Sequence, residues 1–314
     1  MKHNFLKTRV IVNPASNRGQ TGHRWTEIKA TLKYFLKDFK YDFTERPCQA
    51  TDLAREAIKD GVELLVGVGG DGTANEIANG FFEEQKIINP EATLGLVPSG
   101  TGCDFTRSLN IPRNLKNAVK FISEAPEQTI DIGRMTYQEE NGQPVSRYFL
   151  NIADFGLGGE VVREVNRRRL QRRASSYLFC LLKALPAFKG HQVRLEIDNQ
   201  KAASDLYLIG AVANGRIFGK GLKIAPAARL NDGLFDLILV KSLSLLEFCL
   251  QGWRLATGSH LNYHRVSWQR GRKIEVFPLS PEPVLIEMDG EQVGRLPAAF
   301  EIVPSSLQVK AFLE

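Results

Sequence analysis

The feature that most constrains this chain is a cluster of four glycines in "GVGGDGT", residues 67–73. It lies between an apolar, β-branched run, Val62–Val68, and a segment that places Ala74, Ile77, Ala78, Phe81 and Phe82 on one helical face. Glycine gives up side-chain contacts where a backbone must turn tightly or admit a ligand closely. A buried strand, a glycine turn and a helix in that order aim unpaired N–H groups at the turn, which makes it an anion site. The segment therefore predicts a strand–turn–helix unit that takes a phosphate-bearing ligand.

The surrounding pattern repeats that unit. Strands are expected at 8–13, 41–45, 62–68 and 93–98, with helices at 25–37, 51–60, 74–85 and 114–124. Thr51 reads as an N-cap and Gly61 as a stop signal. Alternating strands and helices predict a parallel sheet. Beyond about residue 133 the texture changes to successive strands, "RYFLNIADFG", "HQVRLEID", "DLYLIGAVAN", "LFDLILV", "KIEVFP", "VLIEMDG" and "LQVKAF", interrupted by helical stretches near 160–185 and 244–256. The fold class expected is α/β + β. A nucleotide-binding parallel-sheet domain over 1–133 precedes a mainly antiparallel β domain over 134–314, whose last strand can pack back near the first.

A chain of 314 residues exceeds one comfortable core, which agrees with two domains. No stretch reaches the roughly 18 uncharged apolar residues of a membrane span. The start runs directly into a strand, without a secretory apolar region, and the four cysteines show no metal spacing. A reduced, cytoplasmic setting is expected. The net charge of +6 favours anionic partners. His260 and His264 are four apart but have no acidic partner nearby, so they read as loop histidines.

Three nucleotide motifs compete at the turn. Gly67, Gly69 and Gly72 fit G-x-G-x-x-G, but the turn follows the third strand, and the next strand ends in Val97-Pro98 instead of an acidic residue. A P-loop needs Lys and then Ser or Thr after its last glycine, which is absent. There remains the GGDGT turn itself, with Asp71 among backbone donors near a phosphate or its Mg²⁺.

"GGDGTANE" is similar to the signature of diacylglycerol kinases, sphingoid-base kinases, NAD kinases and phosphofructokinases. With "NPASNRG" (13–19), "LGLVPSGTGCDFTRSLNIP" (94–112), "DIGRM" (131–135), "ARLNDGLFDLILV" (228–240) and "MDGEQVGRLPAAF" (288–300), the chain resembles the bacterial diacylglycerol kinase-like lipid kinases over nearly its whole length.

That resemblance implies an ATP-dependent lipid kinase. The γ-phosphoryl group of ATP would pass, with Mg²⁺, to a hydroxyl of diacylglycerol or a related lipid. An NAD kinase with a soluble acceptor, or a lipid-binding regulator weakened in catalysis, is the alternative. By resemblance the nucleotide meets Asn13, Pro14, Ala15, Ser16 and Asn17; Thr44; Gly69, Gly70, Asp71, Gly72, Thr73, Asn75 and Glu76; and Gly100 and Thr101. Asn17 stands where the family has glycine, and asparagine tolerates left-handed φ. Cys103 occupies the usual asparagine position. Asp71, Asp104 and Asp131 would gather Mg²⁺. Asp232 with the carbonyls of Arg229 and Leu234 would hold a structural Mg²⁺. Asp71 and Glu291 are the catalytic candidates, Glu291 as the base that takes the lipid hydroxyl proton.

Residues 163–173 hold six arginines against one glutamate, followed by the apolar "SSYLFCLLKALPAF". This pairing suggests peripheral attraction to an anionic membrane surface. Interleaved aromatics and a known nucleic-acid module are both lacking, so no nucleic-acid partner is expected. Self-association as a homodimer is left open.

Overall fold

The structure, a computed structural model, describes residues 7–139, 141–167, 180, 183, 185 and 188–313. It divides into two compact units, one comprising Met1–Asp131 with Ser305–Glu314 and the other Ile132–Pro304. The division thus comes two residues before the expected boundary, and the last ten residues count with the first unit.

In the first unit, β1 (Thr8–Val12) is followed by α1 (Gln20–His23), α2 (Trp25–Leu36), β2 (Lys40–Phe43), α3 (Gln49–Lys59), β3 (Leu64–Gly69) and α4 (Asp71–Gly80). A short hairpin, β4 (Phe82–Glu83) with β5 (Lys86–Ile87), then precedes β6 (Thr93–Pro98), α5 (Asp104–Ser108) and α6 (Leu115–Glu124). β2, β1, β3 and β6 pair side by side, each pair parallel, and Gln308–Val309 add a parallel pairing on the far side of β6. All six residues of β3 are buried, as its apolar composition requires of a central strand covered on both faces. On one face Val10, Val12, Val66, Val68 and Val97 pack with Ile28 and Leu32 of α2 and Val119 and Ile122 of α6.

Two local expectations are corrected. The helix predicted for 51–60 begins at Gln49 behind Cys48, so Thr51 lies inside it; its hydroxyl donates to the Glu76 carbonyl at 2.8 Å instead of capping. The helix predicted for 74–85 starts at Asp71 and stops at Gly80. Glu84 and Gln85 then take positive φ and turn the chain into the antiparallel β4–β5 hairpin.

The second unit is antiparallel. Its elements are the rest of β7 (Glu127–Gln138), β8 (Pro144–Phe149), β9 (Ile152–Gly156), α7 (Leu157–Arg167), β10 (His191–Ile197), β11 (Gln200–Ala213) and β12 (Phe235–Lys241). There follow α8 (Leu245–Gln251), α9 (Arg254–Thr257), β13 (Val266–Gly271), β14 (Lys273–Pro278), β15 (Leu285–Met288) and most of β16 (Glu291–Lys310). One run of antiparallel pairs leads β13–β12–β11–β10–β14–β16, and β9 pairs with both β11 and β15. Phe149, Phe155, Phe235 and Phe300 are fully buried at its core. Residues 168–179, with most of the arginine run, lie outside the described residues. Among the described residues no helix is long and apolar enough to cross a membrane.

Candidate functional site

The first unit brings two glycine turns into backbone contact. A β-carbon on Gly100 would stand 2.5 Å from the Gly70 Cα, and one on Gly69 would meet the Thr73 hydroxyl oxygen at 2.4 Å. Only glycine fits these positions without a shift. The turns are also bonded to each other. Ser99 N–H donates to the Gly69 carbonyl at 2.8 Å, and the Phe105 N–H donates to Asp71 Oδ1 at 3.1 Å. Asp71 opens α4, so its charge sits at the positive end of a ten-residue helix.

The 13–19 loop joins the same assembly. Asn13 donates through Nδ2 to the Thr73 hydroxyl at 3.0 Å, while its Oδ1 accepts the Ala15 N–H at 3.1 Å. The Ser16 and Thr21 hydroxyls are 2.5 Å apart, and Thr21 reaches the Ser99 hydroxyl at 2.6 Å. Asn17, Arg18 and Gly19 all take positive φ, so the asparagine in the glycine position keeps the turn. Thr44 follows β2 directly, with its N–H on the Val12 carbonyl at 2.9 Å, level with the start of this loop. A cavity of about 260 Å³ opens beside the second turn, with Arg24, Ser99 and Arg113 among its walls. Arg113 also donates to the carbonyls of Thr101 and Gly102, at 3.1 and 3.2 Å.

Two residues expected at the nucleotide serve packing. Glu76 turns toward α3, accepting the Ala50 N–H at 3.2 Å. Asn75 is buried and accepts from Asn79 Nδ2 at 3.2 Å. Cys103 caps α5 with positive φ, and its thiol reaches the Gly69 carbonyl only at 3.9 Å. Burial, and next the Asp71 charge, push that thiol up to about 11.

The three aspartates have separate employments. Asp71 holds the second turn, Asp104 lies 3.7 Å from the Arg107 guanidinium, and buried Asp131 accepts the Ser305 N–H at 2.7 Å. Among the described residues no three His, Cys, Asp or Glu side chains converge on a common point. The expected three-carboxylate metal cluster is therefore not preassembled. Mg²⁺ beside phosphates needs only one or two carboxylates, and Asp71, half-exposed on the phosphate-type turn, fits that need.

A metal fits poorly at Asp232. Its Oδ1 accepts the Leu234 N–H at 3.2 Å, and its Oδ2 lies 3.1 Å from Arg270 Nη2. The same guanidinium contacts Asp236 Oδ2 at 3.2 Å and donates to the Ala227 carbonyl at 3.3 Å. Trp268 Nε1 donates to Asp236 at 2.5 Å. Burial raises the Asp236 pKa, against the pull of Arg270 and Trp268. The positive charge expected of Mg²⁺ is supplied here by an arginine, a residue too distant in sequence to be associated with "RLNDG".

In the second unit Glu291 starts β16 after a tightly held turn. Asp289 accepts the N–H groups of Leu150, Asn151 and Ile152 at 2.9 to 3.1 Å. Glu287 accepts the Gly290 N–H at 2.7 Å. Arg147 of β8 stands 3.7 Å from Glu291 Oε2, leaving the carboxylate about 40% exposed. Neither Arg147 nor Asp289 was singled out from the sequence. The D-G-E spacing marks Asp289, but Arg147 has no local signal.

Comparison with known proteins accords with this arrangement. Residues 7–135 match the family described as the diacylglycerol kinase catalytic domain, and residues 151–311 match the YegS C-terminal NAD kinase beta sandwich-like domain. A diacylglycerol kinase of Staphylococcus carnosus (strain TM300) is 29% identical over 307 residues, covering 96% of this chain and 94% of its own. One from Bacillus subtilis (strain 168) is 29% identical over 296 residues, covering 94% and 92%. A crystal structure of a diacylglycerol kinase from Bacillus anthracis str. Sterne has a TM-score of 0.73 at 23% identity, over 99% of this chain and 98% of that one. An NAD kinase from Archaeoglobus fulgidus in complex with ATP has a TM-score of 0.51 at 15% identity, over 96% and 93%. At these identities the two structures speak for the fold. With both of its halves matched in order, the chain belongs to the diacylglycerol kinase family, a kinase catalytic domain followed by the NAD kinase sandwich-like domain.

Proposed function

We propose that this kinase transfers the γ-phosphoryl group of ATP to a hydroxyl of a lipid, diacylglycerol being the acceptor named for its relatives. The observation that carries the proposal is the pair of glycine turns in backbone contact, tied to the 13–19 loop through Asn13, Thr73, Thr21 and Ser99. Phosphoryl transfer asks a protein mainly for positioning and charge neutralisation. Backbone N–H groups at the start of α4 bind phosphate oxygens, and Asp71 is the side chain that would hold Mg²⁺ there, directly or through water. Mg²⁺, when bound, neutralises charge on the phosphates.

Glu291 takes the proton from the acceptor hydroxyl as its oxygen bonds to the γ-phosphorus, while the bond to the β–γ bridging oxygen breaks and ADP leaves. Arg147 stands 3.7 Å from that carboxylate, and Asp289 pins the turn that precedes it. The test supplies γ-labelled ATP and Mg²⁺ with diacylglycerol vesicles, a total lipid extract or NAD. Label in a phosphorylated lipid is the expected result. Label only in the soluble NAD product, or none at all, overturns the proposal.

A further inference from the structure

The segment α8–α9 carries an apolar ridge that the second unit leaves uncovered. Leu246, Leu250 and Trp253, at spacings of four and three, are 69%, 58% and 59% exposed, and Leu245 beside them is 40% exposed. Such residues fall on one side of a helix. The opposite side is occupied, since Phe248 and Leu255 pack on the cluster formed by Ile152, Leu208, Ile224 and Ile238. The ridge is therefore surplus to folding. Long side chains this exposed project from the surface and do not line a groove.

Its charge surroundings identify the occupant. From Lys241 to Lys273 inclusive there are six Lys and Arg residues and a single acidic one, Glu247; Lys241, Arg265, Arg270 and Lys273 pair with carboxylates, and Arg254 lies on the ridge itself. Glu247 is engaged away from the ridge. It closes a capping box with Ser244 and accepts from Arg265 Nε at 2.7 Å and the Tyr263 hydroxyl at 3.1 Å. Those bonds, the Ser244 backbone first, hold its pKa down at about 2. Arg254 stacks on the Trp253 ring at 5.4 Å from its centroid, and exposed Lys223 sits at the C-terminal end of α9, its N–H on the Leu255 carbonyl at 2.8 Å. Leucines that enter the acyl boundary, a tryptophan at headgroup depth and flanking cations are the requirements of an interfacial helix on an anionic leaflet.

We propose that Leu246, Leu250 and Trp253 form the face by which this kinase docks on an anionic lipid bilayer. The biological sense of such docking rests on the lipid-acceptor reading, but binding can be read without nucleotide or turnover.

The experiment mixes the purified protein with vesicles of phosphatidylglycerol and phosphatidylcholine, some carrying brominated acyl chains. Tryptophan emission should shift to the blue and be quenched by the brominated lipid. Trp253→Phe should keep vesicle binding but lose most of the quenching. L246S/L250S, at exposed positions and with unchanged Tm, should lower co-sedimentation by about tenfold or more. Pure phosphatidylcholine and high salt should also weaken it. The proposal is overturned if L246S/L250S binds vesicles like wild type, or if binding occurs without quenching assignable to Trp253. It is also overturned if no vesicle binds, or if the ridge variants instead convert a dimer to a monomer in sedimentation velocity. Wild type that docks but phosphorylates no lipid would sink the kinase reading alone.

Discussion

Gly70 and Gly100 come from different turns, and the Cα of Gly70 occupies the space where Gly100 would otherwise carry a side chain, 2.5 Å from the ideal β-carbon. Gly100→Ala must push two backbones apart, and overpacking of this kind costs roughly 1–3 kcal/mol. The variant should fold with a lowered Tm and a KM for ATP raised more than tenfold. Wild-type KM would show that the contact is incidental to the nucleotide.

Asp71→Ala should drop kcat below about a tenth of wild type, a loss of at least 1.4 kcal/mol in transition-state stabilisation, with only a small change in Tm. Asp71 also accepts the Phe105 N–H, so Asp71→Asn, which keeps an acceptor oxygen there, separates the two roles. If Asn restores kcat, the residue is a structural tie and its charge is irrelevant to transfer.

Glu291→Gln should cut kcat sharply and leave ATP affinity, measured by calorimetry, nearly unchanged, because a general base acts on the acceptor. A kcat within about tenfold of wild type removes the base role, since a general base contributes more than that.

Arg270 makes a prediction about metal. Without nucleotide, Tm should not respond to Mg²⁺ or to a chelator, whereas a native-state metal site would raise Tm with concentration. Arg270→Leu leaves buried Asp236 without its countercharge, and breaking such a pair costs about 3 kcal/mol or more. A Tm that climbs with Mg²⁺ in the wild type would restore the metal site at Asp232.

Cys103 should resist alkylation. Its thiol is buried and pushed up to about 11, so at pH 8 little thiolate exists to react. Iodoacetamide should label Cys48 and Cys249, which are exposed, well before Cys103. Equal rates would mean that the turn opens in solution.

What the sequence disclosed depended on whether a signal was local. The glycine turn at 69–73, the strand Thr93–Pro98 and the D-G-E turn each occupy consecutive residues, and their physics is legible there. The β4–β5 hairpin was not, because its turn residues, Glu84 and Gln85, lack the glycine or asparagine that normally marks positive φ. The helical register of Phe81 and Phe82 was read instead. Glu76 was assigned to the nucleotide because it follows the motif, but its carboxylate is drawn to the Ala50 N–H, 26 residues away. The contact of Arg270 with Asp232 and Asp236 depends on a pairing between β12 and β13 that no spacing rule announces. The stretch near 244–256 reads from sequence only as helical, and it takes the exposure of Leu246 and Leu250 to distinguish inside from outside.

Ser305–Glu314 belong to the unit that begins the chain, with Gln308 and Val309 laid along Thr93 and Leu94 of β6. During synthesis, β6 emerges from the ribosome long before its neighbour on that side exists. Its edge must wait, unpaired, while residues 132–304 are made. Unpaired strand edges invite association with other chains, so the nascent protein has a period of vulnerability set by translation rate and not by stability. Loss of the last ten residues would make that exposure permanent.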